Sequence, residues 1–277
     1  MMRRVLILLS LCLLPLAVLA DERILFYGSD IAVHGDGWLT IRETIRVRSE
    51  GDKIRRGIYR DFPTRYRDRF GNHVTVELQP ISVLRGGGSE PWHTKARSNG
   101  VRVYAGNAQS MLQPGMHEYE LTFRTNRQLG FFENHDELYF NVVGTGWVFP
   151  IDRVEATVSL PFDVPSEALG VDVYSGAYGS RESNASVDFP RSNQVRITSS
   201  DGLAPGEGLT VAVSWPKGLI AAPDTRQRAA WFFSDNGAAI ALLAGLLAVF
   251  GWYTWAWRKV GRDPARGIII PRFKPPE

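Results

Sequence analysis

The sequence predicts an all-β fold: an antiparallel β-sandwich ectodomain, read as two tandem β modules, followed by one transmembrane α-helix. Three observations predict it. Short runs of alternating apolar and polar residues recur between residues 21 and 217, clusters of turn residues separate them at close spacing, and one charge-free apolar block follows them. Between the apolar ends of the chain, helical periodicity is almost absent.

The elements follow in order. Arg3 and Arg4 precede the apolar run 5–14, the helix breaker Pro15 and a small-residue exit at Ala20, which is the order of a secretory signal peptide cleaved after Ala20. The only cysteine, Cys12, falls in that leader. An exported chain without cysteine forms no disulfide, so its stability must come from a buried core. The 257 residues after the leader are enough for one large domain or two modest ones.

In the first module, 21–150, residues 24–34 turn at Gly35-Asp36-Gly37 into 38–50, and an Asp-Gly pair between two such runs is a hairpin signal. Leu39, Ile41, Thr44, Ile45 and Val47 suggest a long strand with one change of phase. Further strands are expected at 74–85, 101–106, 117–126 and 137–143. In the second module, 151–217, they are expected at 153–161, 171–176, 185–189, 194–200 and 209–216. LQPGMHEYELTF and LAPGEGLTVAVSW echo each other, a Leu-x-Pro-Gly turn feeding a long strand in both, and this echo supports the two-module reading. Residues 218–235 read as a stalk.

The block 237–257 holds 21 uncharged residues. At ~1.5 Å per residue such a helix is about as long as a bilayer's hydrocarbon core is thick. Trp252, Tyr253, Trp255 and Trp257 crowd one end, where amphipathic rings settle. Asp235 precedes the block and Arg258, Lys259, Arg262 and Arg266 follow it, so the positive-inside rule puts 258–277 in the cytoplasm and the β region outside. The formal charge of +3 reports the ends: residues 21–257 carry 24 basic and 27 acidic side chains. That balance argues against a nucleic-acid partner.

Familiar catalytic patterns are missing: no phosphate loop, no His-Glu-x-x-His, no nucleophile elbow. The five histidines are dispersed, and no metal or cofactor is expected. Two stretches gather charge. In FFENHDELYFNVVGTGWVFPI, Glu133, His135, Asp136 and Glu137 sit together; Asn134, His135 and Asp136 read as a turn leading into a strand with Glu137, Tyr139 and Asn141 on one face. The cluster is a structural turn, a partner surface or, as the alternative, a glycan-hydrolysing carboxylate set of Glu133, Asp136 and Glu137. In KIRRGIYRDFPTRYRDRFGNH, arginines alternate with aromatics, which outside a membrane suits anionic lipid or an acidic envelope polymer, or else pairs with the acidic cluster. The pairing expected is Arg60 or Arg56 with Asp136 or Glu137. Arg56, Arg60, Asp61, Asp136, Glu137, Asn141 and Trp147 are therefore the residues expected to bind a partner or to lock the fold.

At these stretches the sequence resembles the YciQ-like family of predicted bacterial membrane proteins, a family of unknown function. The resemblance rests on DIAVHGDGWLTIRETIRV, RRGIYRDFP, GMHEYELTF and DELYFNVVGTGWVFPI, in that order, and continues through the apolar block into GRDPARGIIIPRFKPPE. Where relatives carry Trp in the Tyr-Trp-Asn part of the motif, this chain has Phe140. The resemblance implies an extracytoplasmic β domain anchored in the bacterial cytoplasmic membrane. In the family a similar tail leads to further membrane helices, so the chain is expected to be truncated after its first. The expectation is a non-enzymatic, membrane-anchored module that binds an envelope protein, an anionic lipid or a glycan.

Overall fold

Residues 39–49 show why this chain folds into sheets. Every second side chain from Leu39 through Ile41, Glu43, Ile45 and Val47 to Ser49 is buried, and those between are not. The alternation never breaks. The expected change of phase does not occur, because the lane between Ile41 and Ile45 is filled by a buried Glu43.

A computed structural model describes residues 21–67, 71, 73–261 and 267. The expected signal peptide, 1–20, and most of the expected cytoplasmic tail lie outside the described residues. In chain order the strands are β1 (Arg23–Val33), β2 (Leu39–Ser49), β3 (Gly57–Pro63), β4 (Arg65–Arg67), β5 (His73–Thr75), β6 (Leu78–Arg85), β7 (Gly88–Ser89), β8 (Trp92–Arg97), β9 (Gly100–Gly106), β10 (Gly115–Thr125), β11 (Leu129–Phe131), β12 (His135–Val143), β13 (Val154–Ser159), β14 (Gly170–Gly176), β15 (Ala185–Arg191), β16 (Gln194–Ser199) and β17 (Gly208–Pro216); helix α1 spans Thr225–Ala256.

One large sheet runs β15-β16-β13-β1-β2-β10-β6-β7, a second runs β11-β12-β17-β14 and a third β3-β9-β8, with β4 and β5 forming a short ribbon. All ladders in the first three are antiparallel except β1 with β13, which pair in parallel from Tyr27↔Val154 to Ala32↔Ser159, so the large sheet is mixed. The strands on either side of residue 150 share sheets: β13 joins β1, and β14 and β17 join β12. An unpaired edge on β1 or β12 would expose a row of backbone N–H and C=O groups, and later strands cover both. The strands fed by the two Leu-x-Pro-Gly turns, β10 and β17, are central in their sheets.

The hairpin at Asp36-Gly37 forms as its residues predict. Gly37 takes φ +79°, and the Asp36 carboxylate accepts the backbone N–H of Trp38 at 3.0 Å. Inward side chains of all three sheets, among them Tyr27, Ile45, Phe62, Phe123, Leu138, Val211 and Trp215, form one hydrophobic cluster. Phe62 meets Phe123 edge-on at 4.6 Å between ring centres, which ties the third sheet to the large one.

Among the described residues, the β region to Ala222, apart from those of 67–73, is one compact unit, and those of 67–73 with those from Pro223 on are a second. In the second unit, Asp224 caps α1 by accepting the Gln227 N–H at 2.7 Å. More than half of the expected stalk, from Thr225 on, is therefore helix. The run Thr225–Gly261 is long and apolar enough to cross a membrane.

Candidate functional site

The site is built on β3, a strand the sequence hid inside its basic, aromatic stretch. Its side chains alternate: Ile58, Arg60 and Phe62 face the core, while Tyr59 and Asp61 do not. Arg60 is the unexpected member of the inward row. Its guanidinium is 5% exposed and meets the fully buried carboxylate of Glu43, with Nε to Oε2 at 3.1 Å and Nη2 to Oε1 at 3.1 Å. Nη1 donates to the Asp61 carbonyl at 2.9 Å and Nη2 to the Val142 carbonyl at 3.3 Å. The Phe62 ring centre lies 4.8 Å from the guanidinium carbon.

The electrostatics follow from this packing. Burial alone would lower the Arg60 pKa, but the charge and hydrogen bonds of Glu43 together with the neighbouring Tyr27 phenol outweigh it and hold the guanidinium above its ordinary value. Tyr27, also fully buried beside the pair, has its phenol pushed well up by desolvation. The cation of β3 is thus tied to β2 below it and to the end of strand β12 beside it.

Above that pair a cleft of about 250 Å³ opens. One wall is β3 from Tyr59 to Pro63; the other is the Gly144–Trp147 loop that follows β12; Arg97 to Val101, the β8–β9 turn, closes one end. A Cβ at Gly144 would stand 3.1 Å from Arg60 Nη1, close enough that the guanidinium would have to give by a few tenths of an ångström. Trp147 is 7% exposed and meets Tyr27 edge-on at 6.0 Å. Asp61 is held by Arg102 through two 2.6 Å bonds, and Arg102 in turn lies 3.8 Å over the Tyr59 ring.

Arg60, Asp61 and Trp147, three of the residues singled out in the sequence, line this cleft together, but the expected ion pairs do not form. Arg60 pairs with Glu43 rather than Asp136 or Glu137, because it points inward from β3 onto β2; Arg56 is exposed. Asp136 is no turn residue: it lies within β12 opposite Trp215, 1% exposed on the core-facing side with Leu138. Its Oδ2 accepts the Gly218 N–H at 3.0 Å and Lys217 Nζ stands 3.9 Å from Oδ1, so it ties the end of β17 to the start of β12. Glu137 points to the other face, with His135 Nε2 3.9 Å away. Asn141, exposed on that face, accepts from the Thr210 hydroxyl at 2.6 Å. Glu133 is exposed ahead of the strand. Neighbours in a strand face opposite ways, so Asp136 and Glu137 do not converge on one bond. Glu43 is the residue that sequence reasoning missed; its signal was an acidic side chain in an otherwise unbroken apolar lane.

Two further carboxylates make the stability of the fold depend on pH. Burial opposes the charge on Glu22, but backbone N–H groups of Lys53, Glu50, Ile54 and Asp52 converge on it and hold its pKa below the usual range. Hydrogen bonds from Arg102 do the same for Asp61. Both groups bind protons less readily folded than unfolded, so their contribution is complete above the unfolded value of about 4 and is lost as pH falls through the lower folded one. Denaturant midpoints are expected to fall between pH 7 and pH 3, and the double variant Glu22→Gln, Asp61→Asn to show a smaller fall. An equal fall in both proteins would assign the acid sensitivity elsewhere.

An all-β domain joined to a membrane-length helix, with no group of three or more His, Cys, Asp or Glu side chains placed to hold a metal among the described residues, defines a membrane-associated β-domain protein. The family description "Predicted membrane protein (DUF2207) N-terminal domain" matches residues 23–215, and the chain belongs to that family. It is 24% identical over 243 residues to the uncharacterised protein YciQ of Escherichia coli (strain K12), a match covering 86% of this chain and 38% of that protein. Among solved structures, yeast LTA4 hydrolase in complex with bestatin aligns at 12% identity and a TM-score of 0.46, over 72% of this chain and 29% of the hydrolase. An M1 zinc metallopeptidase from Deinococcus radiodurans aligns at 13% and 0.40, over 69% of this chain and 42% of the peptidase.

Proposed function

We propose that the chain is a membrane-anchored, non-enzymatic binding module of the bacterial cell envelope whose β domain lies outside the cytoplasmic membrane and whose recognition site is the cleft between β3 and the Gly144–Trp147 loop. One observation carries this reading: RRGIYRDFP and GTGWVFP, distant in sequence, supply the facing walls of one opening, braced from beneath by the Glu43–Arg60 pair. The cleft mixes cationic, aromatic and backbone polar groups, which suits recognition of a polar partner. Arg258 and Lys259, directly after α1, support the orientation by the positive-inside rule. The separation of Asp136 and Glu137 onto opposite faces weighs against the glycan-hydrolase alternative, as does the exposed position of Glu133.

The test places a photo-cross-linking side chain at Thr145, exposed on the cleft rim, and at Tyr178, 97% exposed elsewhere, in cells. A discrete adduct from Thr145 that is missing from Tyr178 is the expected result. Equal labelling from both positions, or none from Thr145, would sink the assignment.

A further inference from the structure

The outward face of the third sheet carries an unusual row of side chains. Register places Tyr59, Tyr104 and His93 in line across β3, β9 and β8, and Asp61, Arg102 and Lys95 in the next line. His93 stacks on Tyr104 with ring centres 4.8 Å apart and planes 7° from parallel, and Tyr59 stands 6.1 Å from Tyr104. Arg102 is committed to Asp61 and to the Tyr59 ring, which fixes the rings and neutralises the one carboxylate on the face. That leaves Lys95 and Arg97, both exposed and in no ion pair among the described residues, as the uncompensated charge of the face. Tyr59, Asp61 and Arg97 also line the cleft, so the face and the cleft are continuous around the edge of β3.

We infer that this face binds an acidic polysaccharide, with the sugar chain lying across the Tyr59–Tyr104–His93 row and its carboxylates or phosphates meeting Lys95 and Arg97. The inference rests on the binding-module reading and names its ligand class. Phenol hydroxyls and an imidazole give a rigid row of hydrogen-bonding groups at little entropic cost, which suits sugar hydroxyls, and the two free cations set the sign of the ligand. A membrane-docking face would add exposed aliphatic side chains that enter the acyl boundary. The outward positions of these strands hold none: they are Gly57, Tyr59, Asp61 and Pro63, then Arg102 and Tyr104, then His93, Lys95 and Arg97.

The experiment uses the full chain in zwitterionic nanodiscs and three probes: polygalacturonate, neutral dextran of similar length, and phosphatidylglycerol vesicles. Calorimetric binding of polygalacturonate alone is expected, weakening with salt. Lys95→Gln with Arg97→Gln is expected to weaken it about tenfold, two exposed charge contacts being worth about that much together. His93→Ala is expected to weaken it without changing the salt dependence. Equal binding of dextran, binding only to the vesicles, or no effect of the paired charge variant would overturn the proposal. If polygalacturonate fails to bind while Thr145 still gives a discrete protein adduct, the ligand class falls and the binding module stands; if both fail, both fall.

Discussion

Glu43→Gln is expected to lower the unfolding free energy by roughly 3–5 kcal/mol, the range for removing one partner of a buried ion pair. For a domain of this size that is a fall in melting temperature on the order of 10 °C. The magnitude comes from what is left behind. Arg60 is 5% exposed, sits on Phe62 and keeps its charge, because the guanidinium does not release a proton at accessible pH. Without the Glu43 charge, only neutral acceptors answer it: the carbonyls of Asp61 and Val142 and the one amide oxygen that glutamine keeps. Arg60→Met is expected to cost a similar amount by stranding the anion. The double variant Glu43→Leu, Arg60→Met should lose far less than the two singles together, since an apolar pair of similar volume fills the same lane. Urea unfolding of all four proteins measures this, and a single-variant loss below about 1 kcal/mol would show that water reaches the pair.

The second large effect falls on backbone rather than charge. Gly57 and Gly106 oppose each other where β3 begins and β9 ends, at φ +134° and +143°. A Cβ on Gly106 would lie 1.9 Å from the Arg56 carbonyl oxygen, and one on Gly57 would lie 1.9 Å from that of Ala105. Gly106→Ala therefore cannot be relieved by a side-chain rotation; the strands must part. A loss of at least about 3 kcal/mol is expected, with the cleft wall opening at β3. Gly179→Ala is the matched control: it has φ +87° but nothing within 4 Å of the added Cβ, so only conformational strain of about 1 kcal/mol remains. Hydrogen exchange at the β3 amides should rise in Gly106→Ala and stay unchanged in Gly179→Ala. Equal losses in the two proteins would place the cost in φ alone.

Most strands could be read because one face of each is buried and alternation reports that directly; HEYELTF is the plain case, with Tyr119, Leu121 and Phe123 buried along β10. The strands that escaped notice lack the contrast. All six residues of β8 are exposed, so no face differs from the other, and the inward row of β3 includes an arginine. The candidate site was half legible for the same reason. RGIYRDFP and the stretch that ends in GTGW stood out as candidates through the charged and aromatic residues they gather. Which carboxylate faces Arg60 could not, because pairing across sheets depends on topology and every acidic residue is an equal candidate until β3 is laid over β2. Asp136 misled for a local reason: Asn-His-Asp has turn chemistry, yet the strand begins at His135, two residues before the expected start, and puts Asp136 in the core-facing row.

The parallel ladder between β1 and β13 also bears on when this chain can fold. Tyr27 emerges early in synthesis but its partner Val154 emerges only after β12 is complete, and β12 itself waits for Leu209 and its neighbours in β17. Pairings so distant must pay loop-closure entropy before they are rewarded, which makes folding slow. The β1-β2-β10-β6 and β3-β9-β8 ladders are complete in sequence by Thr125, but until β13 and β17 are made the β1 and β12 edges stay open, able to pair with other chains. Late closure of this kind leaves at least one of these sheet edges without its partner until the last strand is made, so the complete fold cannot form on a partly made chain.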